Sequence, residues 1–188
     1  MKILLLSDIH DNVWALKTLL QSKQAAEADV LVCCGDLCSP FMIDLLSACK
    51  KPVHIVLGNN DCDVAAMTGK LSKYPGIKIH GEYYRDELDN TTIAVNHYPE
   101  NAQKLVQLQA YDVVCYGHDH SIFVRQEGKT LLLNPGAVMG FDARQLKDID
   151  SSFMVYNTRS NAVDAYRIIL KGGNDIARWD AYCMGSSF

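Results

Sequence analysis

Short apolar runs, each ending at a small polar motif, are the feature of this sequence that most restricts its fold. Residues 3–6, 30–34 and 53–57 are such runs, and polar residues or glycine bound each of them. A run of four or five apolar residues with these boundaries is typical of a strand that is buried on both faces. A sheet made of such strands is covered on both sides, as parallel sheets are.

Two helical patterns separate these three strands. In residues 13–23 the apolar side chains recur on one helical face, and Asp11 or Asn12 is placed to cap the first turn. In residues 40–49, Pro40 stands where a helix begins. The repetition of strand, helix and strand predicts an α/β fold with a parallel sheet.

Beyond residue 61 the pattern becomes richer in successive strands. Strands are predicted at residues 77–80, 83–87, 91–96, 113–116, 122–126, 130–133, 153–156 and 163–170, and helices at 64–71 and 99–109. A second sheet with more antiparallel strands is therefore expected to pack on the first. The length of 188 residues suits one domain over residues 1–188, in which residues 172–188 form a short terminal helix or a loose tail.

Composition restricts the partners and the compartment. The formal net charge of -4 argues against a general nucleic-acid binder, because such binding needs clustered Lys and Arg. The seven cysteines are an odd number and lie mostly in apolar runs, which indicates buried thiols in a reducing compartment. The first apolar run is too short for a signal peptide, and no stretch reaches the ~18 apolar residues of a membrane helix. We therefore expect a cytoplasmic protein with no membrane partner.

Polar motifs follow five of the predicted strands. The motifs are Ser7-Asp8-Ile9-His10, Gly35-Asp36, Gly58-Asn59-Asn60-Asp61, Asn96-His97 and Gly117-His118-Asp119-His120. Open α/β sheets bind ligands outside the carboxyl ends of their strands. We therefore expect the five motifs to converge on one crevice.

The residue types in these motifs are those of a two-metal hydrolase. Carboxylate oxygen together with imidazole nitrogen suits Zn, Mn, Fe, Ni or Co, whereas an all-oxygen set would indicate Mg or Ca. In Asp-x-His and His-x-His, alternate side chains of an extended segment point to the same side. A single carboxylate such as Asp36 can bridge two ions about 3.5–4 Å apart, the separation at which both ions share a phosphoryl group.

The ordered motifs resemble those of the calcineurin-like metallophosphoesterases. The matching residues are Asp8-x-His10, Gly35-Asp36, Gly58-Asn59-x-Asp61, His97 and Gly117-His118-x-His120. The short chain, with Asn134-Pro135-Gly136 after the last motif, resembles the small YfcE-type phosphodiesterase branch, which also includes the Vps29 scaffold proteins. The resemblance implies a four-layer α/β/β/α sandwich of two mixed β-sheets flanked by helices.

The same resemblance implies roles for the motif residues. One divalent transition-metal ion would be held by Asp8, His10, Asp36 and His120, and a second by Asp36, Asn59, His97 and His118. Mn²⁺ would be the leading candidate for both ions, with Ni²⁺, Zn²⁺ or Fe as alternatives. A hydroxide between them would attack the phosphorus of a small phosphorylated substrate, with a diester favoured over a monoester. The residues nearest the reaction would be Asp36, Asn60, Asp61 and His97.

Three positions depart from the family pattern. Position 60 holds Asn60 where many members carry a histidine that protonates the leaving group, so that Asp61, His54 or water would have to substitute. General-acid catalysis is typically worth ~10²–10⁴-fold, so activity on poor leaving groups is expected to be weak. Asp11 would add negative charge near the substrate phosphate, and Tyr98 would wall the pocket or stack on a ring of the substrate.

Two other functions remain open at this point. A Vps29-like interaction scaffold would keep the fold without catalysis, and a metal-bound sensor would bind a phosphorylated ligand without turning it over. Scaffold members tend to have lost His or Asp ligands, whereas all seven expected positions are filled here. A homo-oligomer is compatible with the sequence.

The remaining polar residues have simpler interpretations. His54 and His80 fit structural positions at strand edges. Cys33, Cys34 and Cys38 lack the paired spacing of a zinc ribbon and are predicted to be buried thiols. Residues 139–150 are predicted to form a solvated loop, whose Arg144 and Lys147 are the nearest source of positive charge for a substrate phosphate.

Overall fold

Two β-sheets lie face to face at the centre of the fold, and helices cover the outer face of each. The structure is a computed structural model that describes residues 1–170 and 173–179. In chain order its elements are β1 (Lys2–Leu6), α1 (Val13–Leu20), α2 (Lys23–Glu27), β2 (Val30–Cys33), α3 (Phe41–Leu46), β3 (Val53–Ile55), α4 (Val64–Lys70), β4 (Ile77–Ile79), β5 (Tyr83–Leu88), β6 (Thr91–Asn96), α5 (Pro99–Gln107), β7 (Val113–Cys115), β8 (Ile122–Glu127), β9 (Thr130–Pro135), β10 (Phe141–Asp142), β11 (Lys147–Asp148), β12 (Ser151–Asn157), β13 (Ala162–Ile169) and β14 (Asp175–Arg178). Short 3-10 turns at Ser47–Cys49 and Leu71–Lys73 extend α3 and α4.

Both large sheets are mixed. The first sheet has the order β14-β13-β12-β1-β2-β3-β4, in which β1 to β4 are parallel and β12 to β14 add antiparallel strands. The second has the order β5-β6-β7-β9-β8, with β6, β7 and β9 parallel. The parallel pairs β1–β2 and β2–β3 are joined through helices because a parallel connection needs a crossover.

Side-chain alternation along the strands creates three apolar layers. In β1, Ile3 and Leu5 face the second sheet, whereas Leu4 and Leu6 face the helices α1 to α4, and all four are fully buried. On the other side, α5 covers the second sheet through a third apolar cluster that includes Val106. The predicted four-layer α/β/β/α sandwich is confirmed.

The helical segment predicted over residues 13–23 is divided in two. Asn12 caps α1, since its side chain accepts the N–H of Ala15 at 3.1 Å. Helix α1 ends at Leu20 because Ser22 starts a new helix, in which its hydroxyl accepts the N–H of Ala25 at 3.1 Å. A serine that can cap is a helix boundary, which the apolar periodicity alone does not show.

Two predictions for the second half of the chain were wrong. Residues 139–150 are not a simple loop, because β10 and β11 form a small antiparallel hairpin within them. The side chain of Asp142, at the turn, accepts the N–H groups of Arg144 and Gln145. Residues 175–178 are neither helix nor loose tail but an edge strand paired with β13. The rest of the predicted terminal segment, 180–188, and residue 172 lie outside the described residues.

None of the helices in residues 1–170 and 173–179 is long and apolar enough to cross a membrane.

Candidate metal centre

The polar motifs after β1, β2, β3, β6 and β7 meet at one edge of the two sheets. Within the first sheet, the N–H of Asp8 donates to the carbonyl of Gly35 at 3.0 Å. Between the sheets, the ring Nδ1 of His97 lies 2.7 Å from the carbonyl of Cys34. The N–H of His118 donates to the carboxylate of Asp8 at 3.0 Å. The motifs come together because the carboxyl ends of parallel strands share an edge of each sheet.

Asp8 is the centre of one group of donor atoms. Its Oδ1 lies 3.4 Å from Nε2 of His120 and 3.7 Å from Nε2 of His10. Ligand atoms from these three residues all lie within 4.8 Å of one another. Nε2 of His10 is also 3.5 Å from Oδ2 of Asp36. This group therefore contains the four side chains that the family resemblance assigned to a first ion.

A second group shares Asp36 with the first. The same Oδ2 of Asp36 lies 3.4 Å from Nε2 of His97. Oδ1 of Asn59 lies 3.1 Å from Nε2 of His97 and 2.9 Å from Nδ1 of His118. Asp36 thus stands between His10 of the first group and His97 of the second, the position that a bridging carboxylate needs.

The donor atoms fit divalent cations. Nε2 of His10 is buried and has no hydrogen-bond partner, although two carboxylate oxygens lie 3.5–3.7 Å away. Ligand atoms that bind one ion at about 2.0–2.2 Å lie roughly 3–3.5 Å apart, which is close to the spacing seen here. Mixed carboxylate and imidazole donors suit a transition-metal ion.

The far nitrogens of two histidines orient their rings. Nδ1 of His97 contacts the carbonyl of Cys34 at 2.7 Å, and Nδ1 of His120 contacts the carbonyl of Phe141 at 2.8 Å. A carbonyl oxygen can only accept, so the hydrogen of each neutral ring is on Nδ1. The lone pair of Nε2 then points toward the carboxylates, as it does in histidines that bind metals.

The buried carboxylates of Asp8 and Asp36 place negative charge at the candidate metal centre. Burial would raise the pKa of Asp8, but the adjacent imidazoles of His10 and His120 hold this pKa well below its ordinary value. Burial would lower the pKa of His97, yet the Asp36 carboxylate beside it raises this pKa above the ordinary value. The Asp8 carboxylate, 3.4 Å from Nε2, likewise raises the pKa of His120. Buried carboxylates that attract protons onto their neighbours also attract metal cations.

The backbone at the centre is strained. Five of the seven candidate ligands have φ in the left-handed region, namely Asp8 (51°), His10 (42°), Asp36 (58°), His118 (72°) and His120 (56°). Such residues cost on the order of 1–3 kcal/mol each and are concentrated at functional sites. Gly58 permits part of this geometry, since a Cβ there would lie 2.1 Å from Oδ1 of Asp36.

Asp61 and Asn60 both support the loop that carries Asp36. The carboxylate of Asp61 accepts the backbone N–H groups of Asp36, Leu37, Cys38 and Gly58 at 2.7–3.0 Å. Asn60 donates its backbone N–H and its side-chain amide to the Asp36 carboxylate, both at 2.8 Å. In this arrangement Asp61 has no oxygen left to exchange a proton with a substrate.

The three other residues singled out from the sequence have clear positions. Asp11 accepts the N–H of Ser39 at 3.0 Å and its hydroxyl at 2.5 Å, so its charge is engaged in joining two loops. The ring of Tyr98 lies 5.2 Å from His97 and 5.4 Å from His118, which makes it a wall of the second group. His54 stacks on Tyr84 instead of contacting the centre.

The sequence did not predict the supporting contacts of Asp119, Cys38 and the Phe141 carbonyl. Oδ1 of Asp119 accepts the amide of Asn134 at 2.6 Å, and its carbonyl accepts the guanidinium of Arg144 at 2.6 Å. The thiol of Cys38 lies 3.4 Å from Nδ1 of His10. The position of Asp119 inside the His-x-His motif was the available signal for its role. The carbonyl of Phe141 carries no sequence signal at all.

Comparison with known proteins finds a matching family model and several similar proteins. A family model described as the calcineurin-like phosphoesterase superfamily domain matches residues 1–161. Phosphodiesterase MJ0936 of Methanocaldococcus jannaschii is 24% identical over 143 residues, which are 75% of this chain and 86% of that protein. The solved structure of an archaeal phosphodiesterase has a TM-score of 0.80 at 21% identity and covers 89% of this chain and 100% of its own. Vps29 of Cryptosporidium parvum has a TM-score of 0.67 at 22% identity, with 95% of this chain and 96% of its own covered.

Proposed function

Because the chain belongs to the calcineurin-like phosphoesterase superfamily, we propose that it is a metal-dependent hydrolase of phosphate esters that prefers diesters to monoesters. The proposal is carried by one observation, the buried Nε2 of His10, which faces two carboxylates without a hydrogen-bond partner. A diester preference accords with the phosphodiesterase activity in the name of the relative MJ0936.

The two groups of donor atoms support a centre with two ions. Asp8, His10, Asp36 and His120 would hold one ion, and Asp36, Asn59, His97 and His118 would hold the other. When bound, divalent ions supply a water molecule of lowered pKa and positive charge at the phosphoryl group. We propose Mn²⁺ as the first candidate, with Ni²⁺, Zn²⁺ or Fe as alternatives, because this donor set accepts all of them.

Proton transfer to the leaving group is the step for which the described side chains offer least help. Asn60 occupies the position proposed for the acid, and its amide is engaged with Asp36. Asp61 is fully used by four backbone N–H groups. The leaving group therefore departs with little protonation, which favours esters of acidic alcohols and costs about 10²–10⁴-fold on others.

A Vps29-like scaffold is the second candidate function. The Vps29 fold likeness and the amide at Asn60 favour it, because metal binding without proton transfer leaves a slow catalyst. In the scaffold case the donors would bind metal while hydrolysis stays at background even for good leaving groups.

Metal reconstitution tests the proposal. Metal-free protein is given Mn²⁺, Ni²⁺ or Zn²⁺, and hydrolysis of bis-p-nitrophenyl phosphate and p-nitrophenyl phosphate is measured. We expect metal-dependent turnover that is faster on the diester, since p-nitrophenolate leaves without an acid. Asp36→Asn and His97→Ala should each lose at least about 100-fold, as expected for ligands of a shared centre.

Asp44→Asn is the matched control, because this half-buried carboxylate on α3 pairs with Lys70 and Tyr74. It should keep the wild-type rate. A folded protein that binds metal but shows no rate above background with any of the three ions would contradict the proposed activity and favour the scaffold.

We further propose a small phosphorylated substrate and a cytoplasmic location. The six cysteines within the described ranges are all free thiols, which suits a reducing compartment. The net charge of -4 gives no support to general nucleic-acid binding.

A further inference from the structure

A cavity with aromatic walls adjoins the first group of donor atoms. It has a volume of about 480 Å³, and His10, Trp14, Met139 and Phe141 are among its lining residues. A larger cavity of about 940 Å³ reaches His120 and shares Asn12 and Met139 with the first. His10 and His120 are themselves neighbours, with ring centroids 5.2 Å apart. Both cavities therefore open beside the same end of the candidate metal centre.

Trp14 is the most unusual residue of this cavity. It lies in the first turn of α1 and is 71% exposed. Asn12 anchors the start of the helix that carries Trp14, since its side chain accepts the N–H of Ala15 and donates its amide to the carbonyl of Met139 at 3.0 Å. A single exposed apolar residue needs no explanation. An exposed indole at the rim of a cavity that also contains a candidate metal ligand presents a flat stacking surface.

The second aromatic residue links this surface to the metal centre. Phe141 lines the same cavity and is half-buried, while its carbonyl accepts Nδ1 of His120 at 2.8 Å. This hydrogen bond connects the backbone of Phe141 to a candidate metal ligand. Two aromatic side chains beside a phosphoryl centre can hold a planar group that is bonded to the phosphate.

We propose that Trp14 and Phe141 form a subsite for a planar ring on the non-leaving ester group of the substrate. The inference rests on the proposed phosphodiesterase function and assigns its substrate class, a phosphodiester that bears an aryl or nucleoside group. The volume suits one ring system with its sugar or linker, within the ~300–1,000 Å³ of small-molecule sites. Stacking on an aromatic side chain is tolerant of ring identity because every base or aryl ring has a π-face.

Three diesters with the same leaving group test the subsite. Thymidine 5′-(p-nitrophenyl) phosphate, phenyl p-nitrophenyl phosphate and methyl p-nitrophenyl phosphate all release p-nitrophenolate, so they differ only in the non-leaving group. With the full chain in Mn²⁺, we expect kcat/KM to be about tenfold higher for a ring diester than for the methyl diester. A preference for both ring diesters shows that the subsite accepts any planar ring. A preference for only one of them shows whether it selects the nucleoside or the phenyl group.

Variants locate the preference on the structure. Trp14→Ala should bring the ring-to-methyl ratio of kcat/KM close to one, and Trp14→Phe should restore part of it. Phe41→Ala is the matched control, because Phe41 is 45% exposed on the neighbouring α3 and is not among the described residues that line either cavity. A wild-type ratio near one, or an unchanged ratio in Trp14→Ala, overturns the subsite while hydrolysis of the methyl diester still supports the proposed function.

Fluorescence tests the subsite without turnover. The chain has two tryptophans, so Trp179→Phe leaves Trp14 as the single indole reporter. Thymidine 5′-monophosphate or phenyl phosphate should quench it saturably, and methyl phosphate should not. Absence of quenching by both ring phosphates overturns the inference even if no diester is hydrolysed, and saturable quenching in an inactive protein supports ring binding apart from catalysis.

Discussion

Cys38 distinguishes His10 from the other candidate ligands at the scale of single residues. The far nitrogens of His97 and His120 contact backbone carbonyls at 2.7 and 2.8 Å, whereas that of His10 contacts a thiol at 3.4 Å. Burial raises the pKa of the Cys38 thiol to about 12, so the sulfur stays protonated at neutral pH. A thiol is a weaker partner than a carbonyl, and His10 is consequently the least firmly oriented of the three rings.

Replacement of Cys38 should weaken metal binding. In Cys38→Ala the Nδ1 of His10 loses its partner, and we expect the affinity for Mn²⁺ or Zn²⁺ to fall about tenfold, as for other groups that orient a metal ligand. Cys38→Ser should restore most of it because a hydroxyl can also bond to Nδ1. The measurement is calorimetric titration of metal-free protein. Cys49→Ala, in the 3-10 turn after α3, is the control, and equal affinities in Cys38→Ala and wild type would refute the role.

The hairpin of β10 and β11 lies outside the two large sheets but contacts the candidate metal centre. The carbonyl of Phe141 in β10 orients His120, and Arg144 in the turn donates to the carbonyl of Asp119. Asp142 holds the turn through the N–H groups of Arg144 and Gln145. A segment that was expected to be a solvated loop thus fixes a candidate ligand from outside.

Loosening this turn should affect metal binding more than global stability. Asp142→Ala removes the acceptor of two backbone N–H groups, and we expect about a tenfold loss of metal affinity through His120. The melting temperature should change by only a few degrees, since the hairpin is peripheral to both sheets. Asp148→Ala on the facing strand, where the side chain is exposed, should leave affinity unchanged. A similar loss in both variants would refute the specific role of the turn.

The whole molecule depends on contacts between its two sheets, and one such contact is polar. His54 on β3 and His80 after β4 belong to the first sheet, and both rings lie against Tyr84 of β5 at 4.6 and 4.2 Å. Nδ1 of His54 and Nε2 of His80 are 3.0 Å apart, so the two rings share one hydrogen. Burial, followed by the proximity of His80, lowers the pKa of His54 to about 4.

This cluster predicts a loss of stability in mild acid. Because the pKa of His54 is lower in the folded chain than the ordinary 6.5, the unfolded chain binds more protons in the interval between about 6.5 and 4. The stabilisation of the folded chain by neutral His54 is therefore complete above pH 6.5 and is lost as the pH falls through this interval. His54→Phe keeps a ring against Tyr84 without titrating, so its free energy of unfolding should fall less between pH 7 and pH 5. Chemical denaturation at the two pH values measures this, and parallel declines would contradict it.

The accuracy of the sequence predictions depended on how local each property is. Strand β1 and helix α4 were located to within a residue because apolar periodicity lies within the element itself. The boundary between α1 and α2 was missed because it depends on the capping hydroxyl of Ser22. Asp61 was predicted to be near the reaction. Its four hydrogen bonds from backbone N–H groups could not be predicted, because nearly every residue has a backbone N–H and the sequence does not show which of them a carboxylate accepts.

The apolar runs and the polar motifs that end them predicted, by themselves, an α/β fold with a parallel sheet and a crevice lined by candidate donor side chains, because hydrophobic pattern and ligand chemistry are properties of the residues. The tertiary structure decided which donors meet. Oδ1 of Asn59 lies between His97 and His118, which are 38 and 59 residues away along the chain. It also decided what orients the histidine rings. The backbone carbonyls of Cys34 and Phe141 are present whatever the side chain is, and they contact His97 and His120 only because the fold brings them together.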